Sequence, residues 1–389
     1  MFWIYGCMEK FKVAENGLHT MHTFFTILAW SFLWLSRGQW PDADWNGKKY
    51  PKGSPEQKKA LKPLAGGFYC LLFCLIGDLD YFAGVLNLPH FSSATNPCPL
   101  CRATGSGENT WANFNSDAPW RSTVWTPSAW RAWGGRSKSP LFRLPGTSCH
   151  TVSLDYLQTK YLGTDQWLFG SILWLLTHVI LSASPLNNLK DIWSRIERYY
   201  KQSKTPASRR YRSLGKLSMF VRKTGYPKLR GKGYELKNFG RALLHVWEQC
   251  MKPHIQTHQQ ILLMFQMNVK MEDLLSEHKT LWVLPEAAAR EFRESARAML
   301  LVYNAVARHF AEEGLQLFDI TSKFHLLQHI TDYADCVSPR LVWCFSGEDL
   351  MRHMQHLAQS CSRGVKPVTV VNKMARKYRL AMHLQLTKP

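Results

Sequence analysis

Acidic residues are scarce in this chain of 389 residues. Asp and Glu number 28 against 49 Lys and Arg, for a formal charge of +21. That imbalance excludes an acidic, solvating chain and points to polyanionic partners: DNA, RNA or an anionic membrane face. Cysteine is also thin. Ten Cys over this length cannot frame a small disulfide-stapled domain, and seven of them, Cys7, Cys70, Cys74, Cys250, Cys336, Cys344 and Cys361, read as reduced core residues. Internal repeats and low-complexity tracts are missing, which excludes solenoid and fibrous classes. Glu9, Lys10 and Lys12 precede the first apolar run, but no small-residue cleavage site follows Ser36, so no secretory signal is expected. With 46% hydrophobic and 20% charged residues, the chain is expected to fold and not to be mainly disordered.

Long hydrophobic runs are few. Residues 20–36 and 66–77 are uncharged but shorter than the about 20 residues that a spanning helix needs. The second is rich in Phe, Tyr, Cys, Leu and Ile and stops at Asp78, which reads as a central strand. Gln166 to Asn188 is long enough to span, yet its Trp, Ser, Thr and His content suits a buried helix at least as well. The favoured expectation is a folded core. The rival is an integral membrane protein with one to three spans, in which 166–188 crosses the bilayer and the basic run after it faces the cytoplasm.

Periodicity predicts helices over Tyr234–Met251, Pro253–Glu277 and Pro285–Glu313, and a last basic helix over about 367–383. Residues 341–345 (LVWCF) read as a strand that runs into a helix at Gly347-Glu348-Asp349. Residues 89–150 are rich in Trp, Pro, Ser and Gly with little periodicity. A stretch of that length without regular structure is expected to be functional or organised by a metal.

Cys98-Pro99-Leu100-Cys101 has the spacing at which two thiolates grip one zinc ion. Two further ligands are needed. His90 and Cys149 are the expected candidates, with His150 beside the latter. Trp111, Trp120, Trp125, Trp130 and Trp133 read as the small core around this knuckle. Three acids stand at the ends of elements: Asp78 after an apolar strand, Asp155 ahead of a long helix and Glu348 after LVWCF. An acid at a helix start is most often a cap. Carboxylates gathered from distant segments can instead hold the paired magnesium ions that cut phosphodiesters.

Three segments carry a resemblance. GDLDYFAGVLNLPHFSSATNPCPLC, SLDYLQTKYLGTDQWLFGSILWLL and KFHLLQHI…SPRLVWCFSGEDLMRHMQHLAQS are similar, in this order, to segments of CACTA-like (En/Spm-type) and related cut-and-paste DNA transposases. Together they cover about 60–385. The resemblance implies an α/β, RNase H-like mixed sheet with a Cys-x-x-Cys insert and a large, mostly helical insertion. It implies residues 1–88 as the first part of the core, 89–150 as the Trp-rich insert, 151–185 as a core helix segment, 186–315 as basic linker and helical insertion, and 316–389 as the C-terminal core segment. Asp78 then corresponds to the second acid, Glu348 to the third and Asp155 to the Asp of a downstream signature. Lys323, His325 and His329 match a Lys-x-His-x-x-x-His segment, with the histidines expected to support Glu348. The implied cofactors are catalytic Mg2+ and structural Zn2+, the partner DNA with self-association, and the place of action the nucleus.

Two departures stand out. Gln158 occupies the position where the family has His. The first acid lacks a counterpart, because Glu9, Glu15, Asp42, Asp44 and Glu56 have no convincing strand context. The expectation is therefore a truncated or decayed copy that binds DNA with impaired chemistry.

The basic balance is concentrated. Residues 190–237 hold fifteen Lys and Arg against Asp191, Glu197 and Glu235. Arg209, Arg210, Arg212, Arg222, Lys223, Lys228, Arg230 and Lys232 are the expected phosphate contacts, with Tyr199, Tyr200, Tyr211, Phe220 and Tyr226 interleaved to stack on bases. Nothing in the sequence points to a small-molecule substrate.

Overall fold

The computed structural model describes residues 20–133, 139–362, 364 and 366–386. The chain folds as two compact units built from interleaved stretches. One takes Met1–Phe73, Lys138–Thr147 and Cys344–Pro389; the other takes Cys74–Ser137 and Ser148–Trp343.

The second unit carries the candidate site. Strand β1 (Leu75–Ile76) leads into helix α1 (Leu79–Gly84), and a short helix α2 (Pro127–Ala132) lies in the Trp-rich segment. Strand β2 (Val152–Ser153) leads into a π-helix over Leu157–Thr164 and then α3 (Asp165–Leu175). Helices α4 (Pro185–Gln202), α5 (Gly233–Cys250), α6 (Gln256–Glu277), α7 (Glu286–Glu312) and α8 (Ser322–Asp332) complete it. The strands pair in parallel, Leu75 opposite Val152 and Ile76 opposite Ser153, and form the one sheet among the described residues.

The helices follow from spacing. In α7, Ala289, Phe292, Ala296, Met299, Tyr303, Val306 and Phe310 recur at three- and four-residue steps and are all buried. In α5, Leu236, Phe239, Leu243 and Val246 do the same. The stripe of α6 is broken by two polar residues, Asn268 and Glu272, which are nevertheless buried. They meet Lys160, which is fully buried. Its ammonium donates to Asp165 Oδ2 at 2.8 Å and Asn268 Oδ1 at 3.3 Å, and lies 3.3 Å from Glu272 Oε1. Burial alone would lower the pKa of Lys160, but Asp165 and Glu272 outweigh it and raise the value.

Two expected strands are corrected. Of residues 66–77 only Leu75–Ile76 is strand. Gly66 and Gly67 take positive φ values of 63° and 90°, and Phe68, Tyr69, Leu71 and Phe73 are exposed, so this run finds no sheet to enter. The LVWCF run is turn and bend up to Cys344, and a helix starts at Phe345. Its Trp343 ring instead lies under the cations of Lys237, at 4.3 Å, and Arg340, at 4.6 Å.

The apolar run 166–188 is not one helix. Helix α3 passes into a π-helical turn over Leu176–Ile180, Leu181 is extended, and Pro185 opens α4. Asn188 closes the corner: its amide donates to the carbonyls of Thr177, Leu181 and Ala183 at 2.8, 3.0 and 2.8 Å. Among the described residues no helix is long and apolar enough to cross a membrane.

In the other unit, helix Thr20–Arg37 packs against the turn Pro140–Arg143. Helices Phe345–Ser362 and Pro367–Leu386 meet around Met354, Cys361 and Met374. Glu348 belongs to the first of these two helices, and its side chain lies outside the described residues.

Candidate metal centre

Four buried side chains from two distant segments converge. The ligand atoms of Cys98, Cys101, His325 and His329 all lie within 4.8 Å of one another. Cys101 Sγ is 3.2 Å from His325 Nε2, which is 3.1 Å from His329 Nε2. A tetrahedral ion with bonds of about 2.0–2.3 Å to N and S has ligand-to-ligand edges of about 3.3–3.8 Å, close to this spacing. Four lone-pair atoms so crowded and dry are costly to bury without a cation between them. The group can therefore hold a metal ion.

Local structure aims each ligand. The knuckle turns its backbone amides onto the sulfurs: Leu100 N–H donates to Cys98 Sγ at 3.3 Å and Ala103 N–H to Cys101 Sγ at 3.4 Å. Such donors favour thiolate over thiol. Cys98 draws the Cys101 thiol far below its usual range, with His325 and His329 adding to the effect. Burial pushes the Cys98 thiol well up, and Cys101 pushes it further. Burial lowers the pKa of His325, which keeps its imidazole neutral, the form that ligates.

The histidines reach the knuckle because α8 is pinned at both ends. At its start, Ser322 Oγ–H donates to Phe91 O. Next to it, Lys323 Nζ donates to Gln158 O at 2.9 Å and Leu162 O at 3.1 Å, carbonyls of the π-helix. Further along, Arg121 donates to Gln328 Oε1 at 2.7 Å and Asp332 Oδ2 at 3.0 Å. Trp120, wholly buried, sets its ring against His325 at 4.3 Å and His329 at 5.3 Å. A spacing of four residues then puts both imidazoles on the knuckle side.

The other expected ligands stand apart from this group. His90 pairs with exposed Asp80 at 3.4 Å and accepts from Ser92 N–H. Cys149 donates to Trp125 O at 3.2 Å, and the His150 ring rests on Tyr333. The fourfold group is completed instead by His325 and His329, whose support for Glu348 was the expectation. Their i, i+4 spacing was visible in the sequence; what it faced was not.

The two aspartates come to corresponding positions. Asp78 and Asp155 each follow, by two residues, the end of one of the two paired strands. Each acts as a cap: Asp78 Oδ1 accepts from Tyr81 N–H at 2.6 Å, and Asp155 uses one oxygen for Leu157 N–H at 3.0 Å and the other for Gln158 N–H at 3.2 Å. Asp78 is exposed, whereas Asp155 is fully buried. Lys323 faces both. Burial, then Lys228, lower its pKa to about 8 against the pull of Asp80, Asp155 and Asp78.

The basic segment 203–232 is a loop with short 3₁₀ turns. Arg209, Arg212, Arg222, Lys223, Arg230 and Lys232 are exposed, while Arg210 and Lys228 are partly covered. Tyr200, Tyr211 and Phe220 are buried anchors, so they are not free to stack on bases as expected. Arg222 and Lys228 lie over the Trp167 ring at 5.8 and 4.7 Å.

Searches against protein-family models, curated proteins and solved structures found no match to this chain.

Proposed function

We propose that this chain is a transposase-derived DNA-binding protein with an RNase H-like core, held together by one structural zinc ion. The observation that carries the reading is a convergence. The three segments whose order resembles the transposases supply Cys98 and Cys101, Asp155, and Lys323, His325 and His329, and these meet in one unit. Two thiolates with two imidazoles in a closed, buried site suit zinc, which accepts tetrahedral S and N donors and leaves no open position for chemistry.

The donor set does not fit a catalytic magnesium pair. Both oxygens of Asp155 already serve backbone amides, and the Lys323 ammonium, which donates to Gln158 O and Leu162 O, already supplies positive charge near Asp78 and Asp155. The chain in this proposal is a DNA-binding remnant. Exposed Arg and Lys of the 203–232 loop supply phosphate contacts, which implies binding that is weakly selective and steeply salt-dependent. Such a protein works where chromatin is, in the nucleus.

The test combines gel-shift titration of duplex DNA over a salt series with a nicking assay in Mg2+. The expected outcome is binding that weakens steeply with salt, is reduced by R222E/K223E, and is accompanied by no nicking. Absence of binding at low salt refutes the DNA reading. Robust Mg2+-dependent nicking abolished by Glu348→Gln refutes the remnant. Metal analysis of the purified chain is expected to find one zinc per molecule, lost in C98S/C101S.

A further inference from the structure

Helix α3 keeps one large ring near the surface. Trp174, at its C-terminal end, is half-buried, and His178 stacks on one face of the indole at 4.8 Å. A ring with one face taken has its other face and its edge left for a ligand. Trp174 lines a pocket of about 170 Å³ together with Arg222, Gly225 and Pro227 of the basic loop and residues 315–317 after α7.

Both walls are fixed. The loop closes on itself where Lys228 N–H donates to Phe220 O and Arg230 N–H to Met219 O, each at 2.8 Å. Leu229 N–H donates to Gln166 O at 2.9 Å, and the backbone of Lys228 and Leu229 comes so near Gly170 that a Cβ there would stand 2.8 Å from it. Gly170 therefore lets the loop rest on α3. On the other side, Phe318 N–H donates to Ser171 Oγ at 2.8 Å, and Leu317 is buried. Walls that are already in place lower the entropic cost of taking a ligand.

The lining has the chemistry of a base site. Trp, Pro and Leu supply apolar surface. The Trp174 indole N–H and the Gln316 side-chain amide make no hydrogen bond among the described residues, so donors and an acceptor are left for the edge of a ligand. Arg222 is the one charged residue of the lining, and it is exposed. It also acts on Asp319, a carboxylate that it shares with Lys228. A volume below the about 300–1,000 Å³ of sites for drug-sized ligands suits one flat ring system. A planar ring on an aromatic face, with a guanidinium in reach of the attached phosphate, is how unpaired bases are held without regard to sequence. In a duplex that face is already stacked on neighbouring bases, so the occupant is an unpaired base. Exposed Lys223 and Arg230 on the same loop offer contacts to further phosphates, which favours a strand over a free nucleotide.

We propose that this pocket holds one unpaired base of a DNA strand, stacked on Trp174, with Arg222 on the adjoining phosphate. This site rests on the DNA-binding reading and adds to it a preference for single-stranded ends or gaps.

The test is a fluorescence-anisotropy titration of the intact chain with a labelled single-stranded oligonucleotide and with an abasic strand of equal length, which has the phosphates but no bases. The expected result is about tenfold tighter binding of the base-carrying strand. Trp174→Ala should abolish that preference, Trp174→Phe should keep most of it, and Gln316→Leu, at an exposed position, should reduce it at least threefold. Unchanged binding of the abasic strand by Trp174→Ala separates a lost base site from a lost fold. Equal binding of the two strands by the wild type, or a preference that survives both Trp174→Ala and Gln316→Leu, overturns the proposal. So does saturable binding of deoxyadenosine monophosphate with no preference between strands, which assigns the pocket to a free nucleotide. Duplex binding weakened by R222E/K223E while the two strands bind equally overturns this proposal alone and leaves the main reading intact.

Discussion

At the scale of single residues, the telling positions are polar groups where an apolar residue is the norm. Lys160 is the clearest. It sits wholly inside the helical unit with Asp165, Asn268 and Glu272 around its ammonium. Lys160→Met is expected to strand two buried carboxylates and to cost about 3–5 kcal/mol, measured by urea denaturation. Lys237 offers a test through pH. Its folded pKa lies below the ordinary lysine value, chiefly because of burial. Between that lowered value and the unfolded value of about 10.4 the unfolded chain binds more protons, so this group makes stability rise with pH in that window. The stability-versus-pH difference between the wild type and Lys237→Met is expected to show that rise, and a flat difference would remove it.

At the scale of elements, corners matter more than helix propensity. The uncharged run 166–188 is cut into two helices because Leu181 turns extended and Asn188 takes up three carbonyls left open by the break. Asn188→Ala leaves the buried Thr177 carbonyl and the partly buried Leu181 and Ala183 carbonyls without that donor and is expected to cost about 1–3 kcal/mol, read as a lower denaturation midpoint. Helix α8 is a second case. Arg121 ties Gln328 and Asp332 of this helix to the knuckle segment through its two terminal nitrogens. Arg121→Ala is expected to loosen zinc affinity at least tenfold in a competitive chelator titration, since it releases the helix that presents both histidines.

At the scale of the molecule, the proposed metal site bridges segments separated by 224 positions at its Cys101–His325 contact. A clip across so long a loop acts mainly by restricting the unfolded chain. Zinc removal by a strong chelator is expected to release one ion per chain. It should also lower the melting temperature by roughly 10–20 °C, taking about 5 kcal/mol for the closed loop and about 2–4 °C per kcal/mol. Spectroscopic d–d bands on cobalt substitution would report the tetrahedral S and N donor set directly.

The helices of residues 233–312, the loop character of 89–150, the knuckle and the concentration of basic charge are all written in local pattern: three- and four-residue apolar steps, Pro and Gly density, Cys spacing and charge runs. Those signals depend only on neighbours along the chain. Tertiary structure alone decided which partners the knuckle found, because His325 faces Cys101 only once Trp120 and Arg121 have docked α8. It also decided the fate of the β-prone runs. Residues 68–73 and LVWCF have strand composition, but a strand is stable only with a neighbour to take its backbone hydrogen bonds, and the chain provides that neighbour for Leu75–Ile76 alone among the described residues.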